Sequence, residues 1–208
     1  MSRPGGGPRD ETPPVFIKSM PVPNALNVSK QKVEIEFDEI IQVDKPSEKV
    51  IVSPPQKNMP EIRTSGRKIT VILKDSLLPN TTYTIDFSDA IIDNNERNPL
   101  YGFAYSFSTG PKIDSLQVSG ILLNARDLEP ITGMLVGLHS DLEDSAFQKL
   151  PLERIASSDE LGHFTIRNSN TRQIPSIRAE RHEPGLPLRQ PVGRYRFSRF
   201  YRYSFGRC

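Results

Sequence analysis

Residues 81–110 read TTYTIDFSDAIIDNNERNPLYGFAYSFSTG, and this stretch predicts two strands joined by one polar loop. The first run alternates between an apolar and a polar face: Tyr83, Ile85 and Phe87 against Thr82, Thr84 and Asp86. The second run repeats the apolar face: Phe103, Tyr105 and Phe107. A period of two indicates β-strands with one face in a core. The intervening DNNERNP supplies Asp, Asn and Pro, which favour turns and interrupt a strand ladder.

Similar short runs occupy the rest of residues 14–110. They are VFIKS, KVEIEFDEI, EKVIVSPP and EIRTSGRKITVIL, the last a hairpin predicted to turn at Ser65-Gly66. In KVEIEFDEI, the side chains of Val33, Ile35 and Phe37 are predicted to face inward, while the acidic residues between them form a solvated face. Seven short strands in about 95 residues, without a helical period, predict an immunoglobulin-like (Ig-like) β-sandwich.

The composition of the 208-residue chain favours extended structure. Nineteen prolines, ten of them before residue 61, disfavour helices, and no apolar run reaches the ~18 residues of a membrane span. The net charge of +2 conceals an asymmetry, because residues 169–208 hold nine Arg, no Lys and two acids. Residues 1–168 keep 18 basic and 23 acidic residues and are mildly acidic. Cys208 is the only cysteine, which excludes an internal disulfide.

The chain divides by pattern into four segments. Residues 1–13, rich in Gly, Pro and charge, predict a flexible leader without a signal peptide before it. Residues 14–110 predict the Ig-like sandwich. Residues 111–168 predict a second β unit with strands in LQVSGILLN, MLVGLHS and ERIASSDELGHFTIRN, and one helical turn in DLEDSAFQKL. Residues 169–208 lose the alternation and predict a disordered basic tail.

Four separated stretches of residues 12–110 carry a family resemblance: PPVFIKSMPVPNALNV, IEFDEII, LLPNTTYTIDFSDAIIDNNERNPL and FAYSFSTG. Together they resemble bacterial S-layer-type (SbsA-like) Ig-like domains. The resemblance implies a non-enzymatic protein of the Gram-negative cell envelope, in the outer membrane or periplasm, that acts as a structural spacer or interaction module. Its implied partners are proteins or glycans at the cell surface. The leader RPGGGPRDETPP resembles the segment that follows the lipidated cysteine of envelope lipoproteins, although no cysteine precedes it here.

The second unit resembles a different β-sandwich. SGILLNARDLEPITGMLVGL and SSDELGHFTI are similar to the carboxypeptidase-regulatory-like (prealbumin-like) family. That family continues with Pro-Gly-x-Tyr-Arg and further strands, which residues 169–208 do not contain. Because a one-base shift of the codons permits such a continuation, we hypothesise a frameshift near Asn168 that truncates this sandwich. Sequencing the DNA around this codon tests the hypothesis, and an intact frame through Cys208 without shifted similarity contradicts it.

The alternative interpretation of residues 169–208 is a genuine basic tail. Its segment RYRFSRFYRYSFGR interleaves Arg with aromatic residues, a pattern that binds nucleic acid or an anionic membrane by charge and stacking. The frameshift is the favoured hypothesis because it explains the same residues without a new function.

The polar loop of residues 89–98 contains oxygen ligands of the kind that calcium binds. Asp89, Asp93, Asn95 and Glu96 form a weak calcium candidate. However, DNNERN lacks the spacing and the glycine of an EF-hand loop. A turn capped by Asp and Asn side chains is the favoured interpretation. No cofactor and no other metal is predicted.

Candidate catalytic residues are few. The histidines are His139, His163 and His182, and none lies beside a second ligand type at metal spacing. Ser157-Ser158-Asp159 with His163 has the residue types of a hydrolase, but no nucleophile elbow or oxyanion glycine motif accompanies it. The sequence therefore predicts no catalytic residue and no enzyme.

Overall fold

The computed structural model describes residues 10–124, 126–139 and 152–169, together with the backbone of two strands in the C-terminal segment. The elements are β1 (Phe16–Met20), β2 (Lys32–Phe37), β3 (Ile41–Val43), α1 (Pro46–Lys49), β4 (Ile51–Ser53), β5 (Glu61–Ser65), β6 (Lys68–Ile72), β7 (Thr82–Asp86), β8 (Ile91–Asp93), β9 (Pro99–Leu100), β10 (Ala104–Ser108), β11 (Leu116–Ile121), β12 (Met134–His139), β13 (Arg154–Ser157), β14 (His163–Ser169), β15 (Ser176–Arg181) and β16 (Ser204–Arg207). The described part is therefore almost entirely β, as the alternation predicts.

The N-terminal unit, residues 10–110, is built from two main antiparallel sheets. One has the strand order β1-β2-β6-β5 and the other has the order β10-β7-β4. This is the A-B-E-D and G-F-C order of an immunoglobulin-type sandwich. After β1 the chain crosses to the second sheet, where Ala25 forms a parallel bridge with Phe107. A smaller sheet of β3, β8 and β9 lies at one end.

The two main sheets enclose a single hydrophobic core. Its members come from both sheets: Val33, Ile35, Phe37, Ile41, Val52, Ile69, Val71, Leu73, Tyr83, Ile85, Phe87, Ile91, Tyr105 and Phe107. The inward-facing residues predicted for β2 and β7 are all among them. The rings of Tyr83 and Phe107 stack with centroids 5.3 Å apart, which joins neighbouring strands β7 and β10 inside the core.

The turn before β7 is closed by a buried tyrosine. Tyr83 lies at the start of the strand, is 1 % exposed, and accepts a hydrogen bond at its hydroxyl from the Leu78 N–H at 2.8 Å. A tyrosine that bonds back to the chain a few residues upstream is the tyrosine corner of immunoglobulin-type sandwiches. This contact supports the Ig-like prediction independently of strand order.

The C-terminal unit, from residue 116 onward, pairs β14 with β11 and β13 with β12. A second small core lies between these sheets: Val118, Leu122, Val136, Leu138, Ala156, Phe164 and Ile166. A turn closed by a hydrogen bond from the Gly162 N–H to the Asp159 carbonyl oxygen at 3.0 Å joins β13 to β14, and Gly162 has φ of +76°. A Cβ at this position would lie 2.5 Å from the Leu122 carbonyl oxygen, so only glycine fits.

Several local predictions need correction. Pro46–Lys49 form a helical turn, where the sequence pattern places the start of a strand at Glu48. The loop after β7 contains strands β8 and β9, because Ile91 and Ile92 are apolar enough to be buried against the core. The hairpin between β5 and β6 turns at Gly66–Arg67, one residue later than predicted.

The C-terminal segment differs from the prediction of a disordered tail. Within residues 169–208, β15 pairs with β12 and β16 pairs with β11. The prediction of disorder is therefore wrong for β15 and β16. The frameshift near Asn168 stays a prediction. The predicted helical turn in DLEDSAFQKL lies outside the described residues. No helix in the described part of the chain is long and apolar enough to cross a membrane.

Candidate interface between the two β units

The outward face of sheet β10-β7-β4 is covered by the C-terminal unit. We call it the covered face and define it by six residues: Ile51, Ser53, Thr82, Thr84, Asp86 and Ser106. Alternation predicts that Thr82, Thr84 and Asp86 point away from the core, and they do. Exposed positions would be expected there, yet Thr82 and Thr84 are 1 % and 5 % exposed. Both faces of β7 are therefore buried.

Apolar contacts and a hydrogen bond from a backbone N–H to a serine hydroxyl join β4 to β13. Ile51, Leu135 and Ile155 form a small buried cluster, with Leu152 packed against it. The Ile155 N–H donates a 3.1 Å hydrogen bond to Ser53 Oγ. The second unit thus contributes both apolar area and a partner for a buried hydroxyl.

Asn168 bonds two strands of the N-terminal unit at once. Its Nδ2 lies 2.7 Å from Thr84 Oγ1 and 2.7 Å from Ser106 Oγ, and the residue is 5 % exposed. Both donor positions of the amide are used by hydroxyl acceptors. A polar group that is buried without a hydrogen-bond partner costs free energy. The Asn168 amide and the hydroxyls of Thr84 and Ser106 therefore stabilise one another at this interface.

Arg154 clamps the linker between the units. Its side chain is 7 % exposed and donates hydrogen bonds to the Thr82 carbonyl oxygen and, at 3.2 Å, to the Asp114 carboxylate. The Asp114 N–H in turn donates to Thr82 Oγ1 at 2.9 Å. Burial lowers the pKa of Arg154, and the Asp114 carboxylate opposes that shift. The linker is therefore bound to β7 rather than running free.

A second ion pair crosses the interface at Asp86. Arg167 Nη1 lies 3.4 Å from Asp86 Oδ2, and the Asp86 side chain is 26 % exposed. Burial raises the pKa of Asp86, while the Ser88 N–H and Arg167 act in the opposite direction. A small cavity lies between the units beside this pair and is lined by Ile51, Ser53, Thr84, Asp86, Ile155, Thr165 and Arg167.

Three of the four calcium candidate residues, Asp93, Asn95 and Glu96, belong to a capped turn around the Asp93 carboxylate. One oxygen of the buried Asp93 carboxylate accepts hydrogen bonds from the N–H groups of Asn95, Glu96 and Arg97, at 2.8, 2.7 and 3.1 Å. The other oxygen accepts from the Asn98 N–H at 2.8 Å. Burial acts to raise the pKa of Asp93, but these four backbone bonds outweigh it and lower the pKa.

Asp89 does not join this turn. Its carboxylate lies 2.7 Å from Lys49 Nζ, which is also 3.1 Å from Asp44. Asn95 and Glu96 therefore bond Asp93 through their backbone N–H groups, while the Asp89 carboxylate forms an ion pair with Lys49. Among the described residues there is no group of three or more His, Cys, Asp or Glu that could hold a metal ion.

The candidate hydrolase residues have structural contacts. Ser158 Oγ donates to the Ile131 carbonyl oxygen at 2.7 Å and accepts from the Met134 N–H at 2.9 Å. His163 is exposed, and its Nδ1 lies 3.6 Å from the Asp159 carboxylate. His139 is buried at the end of β12, and His182 lies outside the described residues.

The N-terminal unit has the strand order and tyrosine corner of an immunoglobulin-type sandwich, and its sequence agrees. Residues 10–109 match the family described as bacterial Ig-like domain. The N-terminal unit therefore has the fold of an Ig-like domain. Such domains are generally non-catalytic. No curated protein matches the chain.

Solved structures share only a distant likeness with the chain. An L,D-transpeptidase from Mycobacterium smegmatis is 12 % identical, with 76 % of this chain and 77 % of that chain covered and a TM-score of 0.33. The N-terminal part of the bacterial S-layer protein SbsC is 13 % identical, with coverage of 81 % and 44 % and a TM-score of 0.31. The LD transpeptidase LdtMt1 in complex with imipenem is 13 % identical, with coverage of 69 % and 74 % and a TM-score of 0.32. The chain thus spans less than half of the S-layer fragment.

Sequence reasoning missed the interface residues Arg154, Arg167 and Asn168. A signal was present in the outward positions of β7 and β10, where small hydroxyl side chains stand in place of the Lys and Glu of a solvated face. Small polar residues can be covered at low desolvation cost once they find hydrogen-bond partners. The basic segment at residues 194–207 lies outside the described residues except for β16, and the comparisons give no support to nucleic-acid binding.

Proposed function

We propose that this chain is a non-enzymatic structural module of the bacterial cell envelope, in which an Ig-like domain and a second β unit act together as a spacer. The observation that carries the proposal is the covered face. Two domains of one chain are expected to move relative to each other unless contacts at their interface prevent it. Here Arg154 binds the linker and Asn168 binds two strands, so the pair behaves as one extended element.

The partners that we propose are proteins or glycans at the cell surface. The outward face of sheet β1-β2-β6-β5 stays open to them and carries a ladder of opposite charges. Glu36 lies between Lys18 and Lys68, at 3.5 and 3.6 Å. Exposed ion pairs of this kind contribute about 0–1 kcal/mol to stability, so this face can exchange them for polar contacts with a partner.

Fractionation of the source bacterium tests the envelope assignment. Antibodies against the purified chain are used to probe cytosol, periplasm, inner membrane and outer membrane, with a cytosolic enzyme as the marker of leakage. We expect the protein in the periplasm or the outer membrane, where a lipid anchor is the attachment that we propose. Recovery in the cytosol alone, together with the marker, contradicts the proposal.

A further inference from the structure

Strand β14 contains a β-bulge beside the interface. Ile166 lies opposite Val118 on β11, whereas Ser169 lies opposite Leu116, so three residue steps on β14 match two on β11. The additional residue falls within Arg167–Asn168, and Asn168 has φ of 58°. An added residue in the left-handed conformation bends the strand and interrupts its alternation.

The bulge lets two consecutive side chains reach the Ig-like domain. In a regular strand Arg167 and Asn168 would point to opposite faces of the sheet. Here Arg167 Nη1 is 3.4 Å from Asp86, while Asn168 Nδ2 is 2.7 Å from both Thr84 and Ser106. Both residues of the bulge therefore contact the same covered face.

We propose that this bulge specifies how the two units dock, with Asn168 as the orientation-determining residue. The covered face is a docking surface for a bulged strand that presents an amide donor, and its occupant is β14 of the same chain. Thr84 and Ser106 are directly opposite each other on β7 and β10, with their hydroxyls 3.4 Å apart. A side-chain amide that bonds both hydroxyls is fixed in two directions: along the strands and perpendicular to them within the sheet.

Asp86 makes this docking register unique. Thr82 and Ser108 form a second cross-strand hydroxyl pair, two residues along the same strands. A shift of the amide to that pair would move Arg167 from Asp86 to the neutral Thr84. The ion pair therefore disfavours the shifted register, and the amide and the guanidinium act together.

Asparagine suits the bulge for two reasons. Among residues other than glycine it is one of those that adopt the left-handed conformation most readily. Its amide also supplies two donors on a short side chain. Glycine would keep the backbone and remove the donors, which makes Asn168→Gly a selective variant.

A distance measurement between the units tests the inference on the full chain. Spin labels are placed at Arg63→Cys and Glu160→Cys, two exposed positions in different units, in a Cys208→Ser background. Pulsed electron–electron double resonance should give one narrow distribution of the distance between the two labels for the native interface. Asn168→Gly is expected to lose that single narrow peak and give a broad distribution, while circular dichroism shows that the β structure is retained.

Two further variants control the result. Asn24→Gly replaces another left-handed asparagine, with φ of 60° and an exposed side chain. Glycine keeps its backbone N–H, which bonds the Ser106 carbonyl oxygen at 2.8 Å, so this variant should keep the narrow peak. Thr84→Val with Ser106→Ala removes the acceptors without altering the bulge and should broaden the distribution as Asn168→Gly does. Native distributions in both Asn168→Gly and the acceptor variant overturn the inference. The readout does not depend on cellular location, so it is separate from the test of the proposed function.

Discussion

Replacing Asp93 with alanine is expected to destabilise the Ig-like domain by about 3 kcal/mol, because four backbone N–H groups lose their acceptor. The effect stays below the full sum of four bonds, since parts of residues 94–97 are exposed and water can replace some contacts. Urea unfolding of the full chain, followed by circular dichroism, measures the change. Equal stability of Asp93→Ala and the native chain would contradict the capped-turn interpretation.

Two matched variants sharpen this measurement. Asp93→Asn keeps one oxygen as acceptor but places an amide donor where the other oxygen was, so it should cost about 1 kcal/mol. Asp89→Ala removes a partly exposed ion pair with Lys49 and should cost about 0.5 kcal/mol. Calcium should leave the native unfolding transition unchanged. A calcium-dependent rise in stability that Asp93→Asn abolishes would instead support the metal site.

The lowered pKa of Asp93 gives the same residue a pH signature. Because the folded pKa is below the unfolded value of about 3.9, its stabilisation is complete above that value and is lost as pH falls through the folded pKa. The native chain should therefore lose stability below about pH 4 more steeply than Asp93→Asn does. Parallel acid profiles of the two proteins would contradict this assignment.

Arg154→Met is expected to cost about 3 kcal/mol of stability and to loosen the linker, because removing one partner of a buried ion pair strands the other. Methionine fills the volume of the side chain but leaves the Thr82 carbonyl oxygen and the Asp114 carboxylate without their donor. The cost lies at the lower end of the range for buried pairs because the Asp114 side chain is 24 % exposed. Urea unfolding and the distance between the two spin labels measure both effects.

Arg63→Met is the matched control for Arg154→Met. Arg63 pairs with Glu61 on exposed strand β5, and its side chain is 69 % exposed. Its replacement should change stability by about 0.5 kcal/mol or less. If Arg154→Met lost as little stability as Arg63→Met, Arg154 would behave as a surface residue and the proposed clamp on the linker would be wrong.

The faces of the strands follow from sequence because alternation is a local property. The inward positions of β2 and β7 were predictable from the period of two, and they lie in one core with exposures of 0 or 1 %. The turn at Asp93 was predictable for a similar reason, since Asp bonds to backbone groups that follow closely along the chain. Helix α1 and strands β8 and β9 were missed, because each is four residues long or shorter and carries almost no periodic signal.

The interface could not be predicted in the same way, since its partners are distant in sequence. Asn168 is 84 residues from Thr84 and 62 from Ser106, and Arg154 is 72 residues from Thr82. Alternation shows that Thr84 points away from the core, but it does not show what lies on that side. The bulge that turns both Arg167 and Asn168 toward the covered face exists only once β14 pairs with β11.

The β class, the strand faces and the Ig-like core follow from the local sequence, because hydrophobic residues at a period of two are a pattern among neighbouring residues. The hydroxyl-lined face of β7 and β10 is recognisable as a docking surface only in the folded chain. The reason is that this surface is defined by hydrogen bonds and ion pairs between the units, and their geometry exists only when the two units are in contact.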